Sequence, residues 1–119
     1  MEKIKNFKDL KIWHKGIEIV KDVYALTKGF PQDELYGLTT QMRRSAVSIP
    51  SNIAEGFKRF HKREYAQFLH ITLGSAAELE TQFAITKELG YVQEKDLVDI
   101  LEKLDHLSRM TSSLLSKLK

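Results

Sequence analysis

The residues best equipped for chemistry lie between Gly56 and Tyr65, where Phe57, Phe60 and Tyr65 are interleaved with Lys58, Arg59, His61, Lys62 and Arg63. Aromatic rings stack on unpaired bases while Lys and Arg meet phosphates, so this is the pattern of a single-strand nucleic-acid contact. It is also the pattern of a solvated turn between helices, because Phe57, Phe60 and Tyr65 fall on apolar helical stripes. A second stretch, Arg43-Arg44-Ser45-Ala46-Val47-Ser48-Ile49-Pro50-Ser51-Asn52-Ile53-Ala54-Glu55-Gly56, crowds two arginines, small polar residues and a proline into one helix. Arg44, Ser48, Asn52 and Glu55 share a side of that helix. They read either as a ligand site or as a polar seam, with an arginine paired to Glu78 or Glu80. The candidate nucleic-acid-binding residues are therefore Arg43, Arg44, Lys58, Arg59, Lys62 and Arg63.

Other chemistries lack their residues. The chain has no cysteine, which removes disulfides, thiolate metal sites and a Cys nucleophile. Two-metal carboxylate bundles need Glu-x-x-His on two helices, and that spacing is absent. Glu102 and His106 are one helical turn apart without further ligands, and His14, His61 and His70 have no companion spacing for zinc. Neither a phosphate-cradling Gly-x-x-x-x-Gly-Lys nor a Gly-x-Ser-x-Gly elbow occurs. Gly74-Ser75 reads instead as a helical site where a neighbouring helix can approach. No metal, cofactor or catalytic residue is expected, and the reading is of a binding protein rather than an enzyme.

The elements that must position these residues are helices. Leu10, Trp13, Ile17, Val20 and Tyr24 recur at three and four, predicting a first helix from about Asp9 to Lys28, with Asp9 as N-cap and Gly29 just past the end. Ile12, Gly16, Ile19, Val23 and Leu26 form a second stripe on it. A second helix is predicted from about Asp33 to Phe60, kinked at Pro50, whose ring crowds the turn before it and whose nitrogen donates nothing to Ala46. A third runs from about Lys62 to Leu89, ending at Gly90, with Glu64 set to close a capping box at His61. Its Leu69, Leu73, Ala77 and Ala84 add a second apolar stripe. The fourth starts near Gln93 and carries Leu97, Leu101, Leu104, Leu107, Thr111, Leu114 and Leu118, with acids at its start and Lys117 at its end, as the helix dipole favours. Four long helices with short connections predict an all-α, antiparallel up-down-up-down four-helix bundle, one domain over residues 1–119. Apolar stripes beyond what one bundle can bury predict a homo-oligomer.

Charge is unevenly spread. Residues 1–63 carry 13 Lys/Arg and 7 Asp/Glu, a net of +6, whereas residues 64–119 carry 6 and 9, a net of −3. Such a basic segment steers polyanions, and halves of opposite sign also attract each other between subunits. The start has no apolar signal-peptide run and no stretch reaches the ~20 apolar residues of a membrane span, so a cytoplasmic protein without a membrane partner is expected.

With Gln41 and Met42 before it, the Arg43–Gly56 stretch closely resembles the signature of the bacterial four-helix bundle proteins encoded within intervening sequences of 23S rRNA genes. Phe7, Leu10, Trp13, Phe30-Pro31, Glu34, Tyr36-Gly37-Leu38, Phe68-Leu69, Gly74-Ser75-Ala76, Glu78-Leu79-Glu80 and Gly90-Tyr91 extend the match over nearly the whole chain. The resemblance implies a ring-like homopentamer, related to the basic accessory protein of diversity-generating retroelements, which binds nucleic acid and a reverse transcriptase. RNA or DNA is thus the expected partner, with a protein-interaction scaffold as the alternative. Two departures stand out: His61 where a Ser cap is common, and Thr72 where a small apolar residue is common.

Overall fold

The computed structural model describes residues 4–118, which hold four long α-helices and no strand, within principal extents of 47 × 25 × 20 Å. A short 3-10 turn, Phe7–Asp9, is capped by Asn6, whose side chain accepts from the Lys8 amide at 2.9 Å. Asp9 therefore sits inside this turn, and Leu10 takes the N-cap of α1, Lys11–Thr27, without a side-chain bond. The inward face of α1 is the one sequence spacing ranks second: Ile12, Gly16, Ile19 and Val23 are buried, while Trp13, Ile17 and Val20 are half-buried and Tyr24 is exposed. Gly16 explains this. A Cβ there would lie 3.2 Å from Pro50 Cβ and 3.3 Å from Ile49 Cγ2, so the missing side chain lets the next helix close on that face.

The second helical region is more broken at its start than periodicity suggests. A 3-10 turn, Gln32–Glu34, and a π turn, Leu35–Thr39, precede α2, Thr40–Phe57, and Gly37 leaves helical geometry at φ −117°, ψ −112°. α2 itself continues through Pro50. It stops at Phe57, three residues before Phe60, so the apolar phase that would bury Phe60 no longer applies.

The longest helix, α3, spans Lys62–Leu89, and α4 spans Glu94–Lys117. Gly90 closes α3 at φ 74°, the left-handed geometry that glycine adopts without a Cβ clash. His61 holds the α3 N-cap position in extended geometry but makes no side-chain cap bond, so the expected capping box is not formed. Thr72 is fully buried, and its hydroxyl donates to the Phe68 carbonyl at 3.2 Å, which satisfies the polar group that departs from the family pattern.

Ile19, Val23, Met42, Ala46, Ile49, Ile53, Leu69, Leu79, Phe83, Leu104 and Leu107 are buried between the four helices. Each larger side chain among them contributes roughly 1.5–3 kcal/mol on leaving water. Along α2 and α3 the contacts run in opposite order: Ser45 donates to Glu78, Ser48 meets Ser75 at 2.8 Å, and Gly56 meets Phe68. A Cβ on Gly56 would come within 2.7 Å of Phe68 Cβ, the tightest approach at any glycine. Gly74, by contrast, has nothing within 4 Å, so no helix of the same chain approaches it. Across α1 and α4, Lys103 Nζ holds Asp22 at 2.6 Å, Glu18 at 3.1 Å and Asp99 at 3.3 Å. No described helix is long and apolar enough to cross a membrane.

Candidate nucleic-acid interface

The α2–α3 turn gathers four of the six candidate cations. Lys58 is the C-cap of α2, Arg59 follows it, and Lys62 and Arg63 open α3; all four are exposed. Arg59 donates to Glu55 at 3.2 Å and lies 4.9 Å above the Phe68 ring. Lys58 Nζ stands 5.9 Å from the Phe7 ring, which joins the turn to the segment before α1. Among the described residues Lys58, Lys62 and Arg63 make no ion pair. Two cations at the start of α3 also oppose its dipole, a local cost of about 0.3–1 kcal/mol each that an arriving anion would offset.

Phe60 is the unexpected member. Sequence spacing puts it on a core stripe, yet it is 99% exposed at the tip of the turn. Phe57 and Tyr65 behave as the stripe requires: both are half-buried and meet edge to face at 6.1 Å. Burial raises the Tyr65 phenol above its ordinary pKa.

More cations gather at this end than the turn supplies. Lys11 at the start of α1 shares a surface hollow with Arg109 and Lys117 near the end of α4, lined between them by Leu10, Ile12 and Leu114. The end holding the turn, the start of α1 and the end of α4 comprises residues 4–19, 50–75 and 106–118, with ten Lys/Arg and four Asp/Glu. The other described residues carry seven and eleven. Charge is thus divided between the two ends of the molecule, a net of +6 against −4, as well as between the halves of the sequence.

Arg43 and Arg44 do not join this cluster. Fifteen residues separate Arg43 from Lys58, about 22 Å along a helix. Arg43 donates through Nε to Thr27 Oγ1 at 2.9 Å and covers the Tyr24 ring at 4.6 Å. The α2–α3 seam anticipated around these arginines exists, but Ser45 takes Glu78 in place of an arginine, and Asn52 donates to the Ser48 carbonyl and hydroxyl at 2.8 Å. Gln82 Oε1 is buried with no hydrogen-bond partner among the described residues.

A family model of the 23S rRNA-intervening sequence protein matches residues 8–113. The chain belongs to this family. A crystal structure of a protein of unknown function from the S23 ribosomal protein family of Bacteroides thetaiotaomicron superposes with a TM-score of 0.81 at 20% identity, covering 87% of this chain and 97% of that one. At that identity the likeness is one of fold. No curated protein matches the chain. Membership in the 23S rRNA-intervening sequence family accounts for the Arg43–Gly56 signature, whereas the exposed Phe60 and the gathering of Lys11, Arg109 and Lys117 with the turn have no local sequence signal. A stripe pattern cannot tell where a helix will stop, and Lys11 and Lys117 are 106 positions apart.

Proposed function

We propose that this 23S rRNA-intervening sequence family member is an antiparallel up-down-up-down bundle, bent at Pro50, that assembles with copies of itself and binds RNA or DNA through its basic end. The reading is carried by Phe60, 99% exposed and flanked by Lys58, Arg59, His61, Lys62 and Arg63. A fully solvated aromatic gains nothing for the isolated fold, but a base stacked on it contributes about 1–3 kcal/mol. Cations and rings make contacts with phosphates and bases, so the site is that of a binder rather than a catalyst. Self-assembly is supported by the outer face of α3, where Ile71 and Ile85 are 49% and 44% exposed on either side of Gly74 and Ala77. A pentamer is the assembly the family resemblance implies, and repeating the basic end in each subunit would add weak contacts into useful affinity.

The test is a salt titration of binding to generic single- and double-stranded RNA and DNA, for the parent and for a variant with Lys58, Arg59, Lys62 and Arg63 all changed to Gln. The parent's affinity should fall steeply with salt, and on single strands the logarithmic slope should shrink by about 3 per engaged subunit in the variant. Assembly and folding should be unchanged, as exposed charges typically contribute within about 0.5 kcal/mol. Equal binding by parent and variant, or none by either at physiological salt, overturns the reading. A protein scaffold would then be favoured, on the strength of Tyr36, which stands 93% exposed beside the half-exposed Leu35 at the other end.

A further inference from the structure

Arg43 and Arg44 are left without a role by the basic end, and their surroundings form a site of their own. Tyr24 from α1 and Thr40, Arg43, Arg44, Val47 and Ser48 from α2 line a surface cavity of about 510 Å³, within the range of small-molecule pockets. On α2 these five residues follow spacings of three and four, so one helical face supplies them all. Neither arginine has a carboxylate within ion-pair distance among the described residues. Arg43 is also held in place: Nε donates to Thr27 and the guanidinium carbon lies 4.6 Å over the Tyr24 ring, which leaves its two terminal nitrogens as an unpaired fork. Such a fork suits the paired oxygens of an anion, and a second uncompensated guanidinium beside it suits a dianion.

We propose that this cavity binds a phosphate monoester attached to a flat or apolar body, a nucleotide's terminal phosphate being the fitting example. A monoester carries about −1.5 to −2 charges at neutral pH, close to the two guanidiniums facing it, whereas a bridging phosphodiester carries one. The Thr40 hydroxyl donates to the Leu35 carbonyl and the Ser48 hydroxyl meets Ser75 and Asn52, so the two guanidiniums are the donors this face offers. Val47, 40% exposed, and the free edge of Tyr24, 39% exposed, offer apolar surface for the body of the ligand. The monoester could belong to a free nucleotide or to the 5′ end of a strand.

Calorimetric titration with AMP, adenosine and 8-mer single-stranded RNA bearing either a 5′-phosphate or a 5′-hydroxyl separates these cases. AMP should bind while adenosine binds at least about tenfold more weakly, and the Arg43→Gln/Arg44→Gln double variant should lose AMP affinity by a similar factor. Preference for the 5′-phosphorylated strand, abolished in that variant, assigns the monoester to strand ends; AMP binding without that preference assigns it to a free nucleotide. Arg43→Lys, which keeps the charge and loses the fork, and Arg44→Gln, at an exposed position, should each weaken AMP in a chain with an unchanged circular dichroism melt. The fourfold Gln variant of the α2–α3 turn should bind AMP like the parent, so failure of the basic-end reading and failure of this one are separate results. No AMP binding by the parent at millimolar concentration, or equal binding by the arginine variants, overturns the proposal.

Discussion

The two ends of the bundle treat their aromatics and charges in opposite ways. At the end holding the α1–α2 connection, the Tyr91 hydroxyl donates to Glu34 at 3.0 Å and its ring lies 5.3 Å from Phe30. The hydrogen bond to the Glu34 carboxylate raises the phenol above its ordinary pKa, with desolvation adding to it. At the basic end, Phe60 has no aromatic neighbour within stacking range, and Lys58, Lys62 and Arg63 pair with no acid among the described residues. Tyr91 and Glu34 satisfy each other inside the fold, while Phe60 and these three cations are left to solvent or to a ligand. The difference locates where binding free energy is available: groups already satisfied inside the fold have little to gain from a partner.

The strongest way to break this contrast is to disturb the scaffold beneath the basic end. Gly56→Ala would force a Cβ to within 2.7 Å of Phe68 Cβ and 3.3 Å of the Tyr65 carbonyl, neither of which is a flexible side-chain tip. A loss of about 2–3 kcal/mol is expected in urea unfolding, as for overpacked cores. A change under about 0.5 kcal/mol would mean that α2 and α3 separate easily there.

A sharper test uses the two solvated aromatics. Phe60→Ala should weaken single-strand binding by about 1–2 kcal/mol, read by fluorescence anisotropy, and leave the melting temperature alone. Tyr36→Ala, at the opposite end, should change neither. Equal effects from the two variants would erase the distinction between the ends.

Next in size is the clamp between α1 and α4. Lys103→Met should cost about 1 kcal/mol by chemical denaturation, kept modest because Glu18 and Asp99 are 46% and 64% exposed. Hydrogen bonding to Lys103 lowers the Glu18 pKa, so its contribution is complete above the ordinary value of 4.5 and fades as pH falls through the depressed one. The Lys103 pKa is raised, chiefly by Asp22, so its share is complete below 10.5 and fades only as pH climbs through the higher folded value. Stability measured against pH should therefore lose the clamp's contribution outside the window between 4.5 and 10.5, and Lys103→Met should flatten that dependence.

The smallest effect should be a gain. Gly74 lies inside α3 with open space around it, so Gly74→Ala should stabilise the chain by about 0.5–1 kcal/mol through helix propensity. If the oligomer dissociates in that variant while the melt rises, the bare backbone at Gly74 is a contact between copies.

Much of the scaffold is legible in the sequence because its signals are local. The bounds of α3, Lys62–Leu89, its stop at Gly90, and the start of α4 after Gln93 follow from apolar period and from the backbone freedom of one glycine. The cations around the α2–α3 turn are likewise adjacent in the chain. Gly37 and the π turn before α2 are not legible, since the apolar stripe keeps its phase across a break that Glu34, through its bond to the Leu38 amide at 3.3 Å, helps to hold.

The sequence by itself determined four helices, an uneven charge and a basic turn, because helical period, end signals and neighbouring charges act over one or two turns of chain. Only the tertiary structure decided which face of α1 goes inward, that Phe60 escapes the core, that Arg43 takes Thr27 and Tyr24 while Glu78 goes to Ser45, and that Lys11, Arg109 and Lys117 gather at one end with the turn. Those outcomes depend on where a helix stops and on distances between residues far apart in the chain, set by how closely backbones approach at Gly16 and Gly56, and no periodicity encodes them.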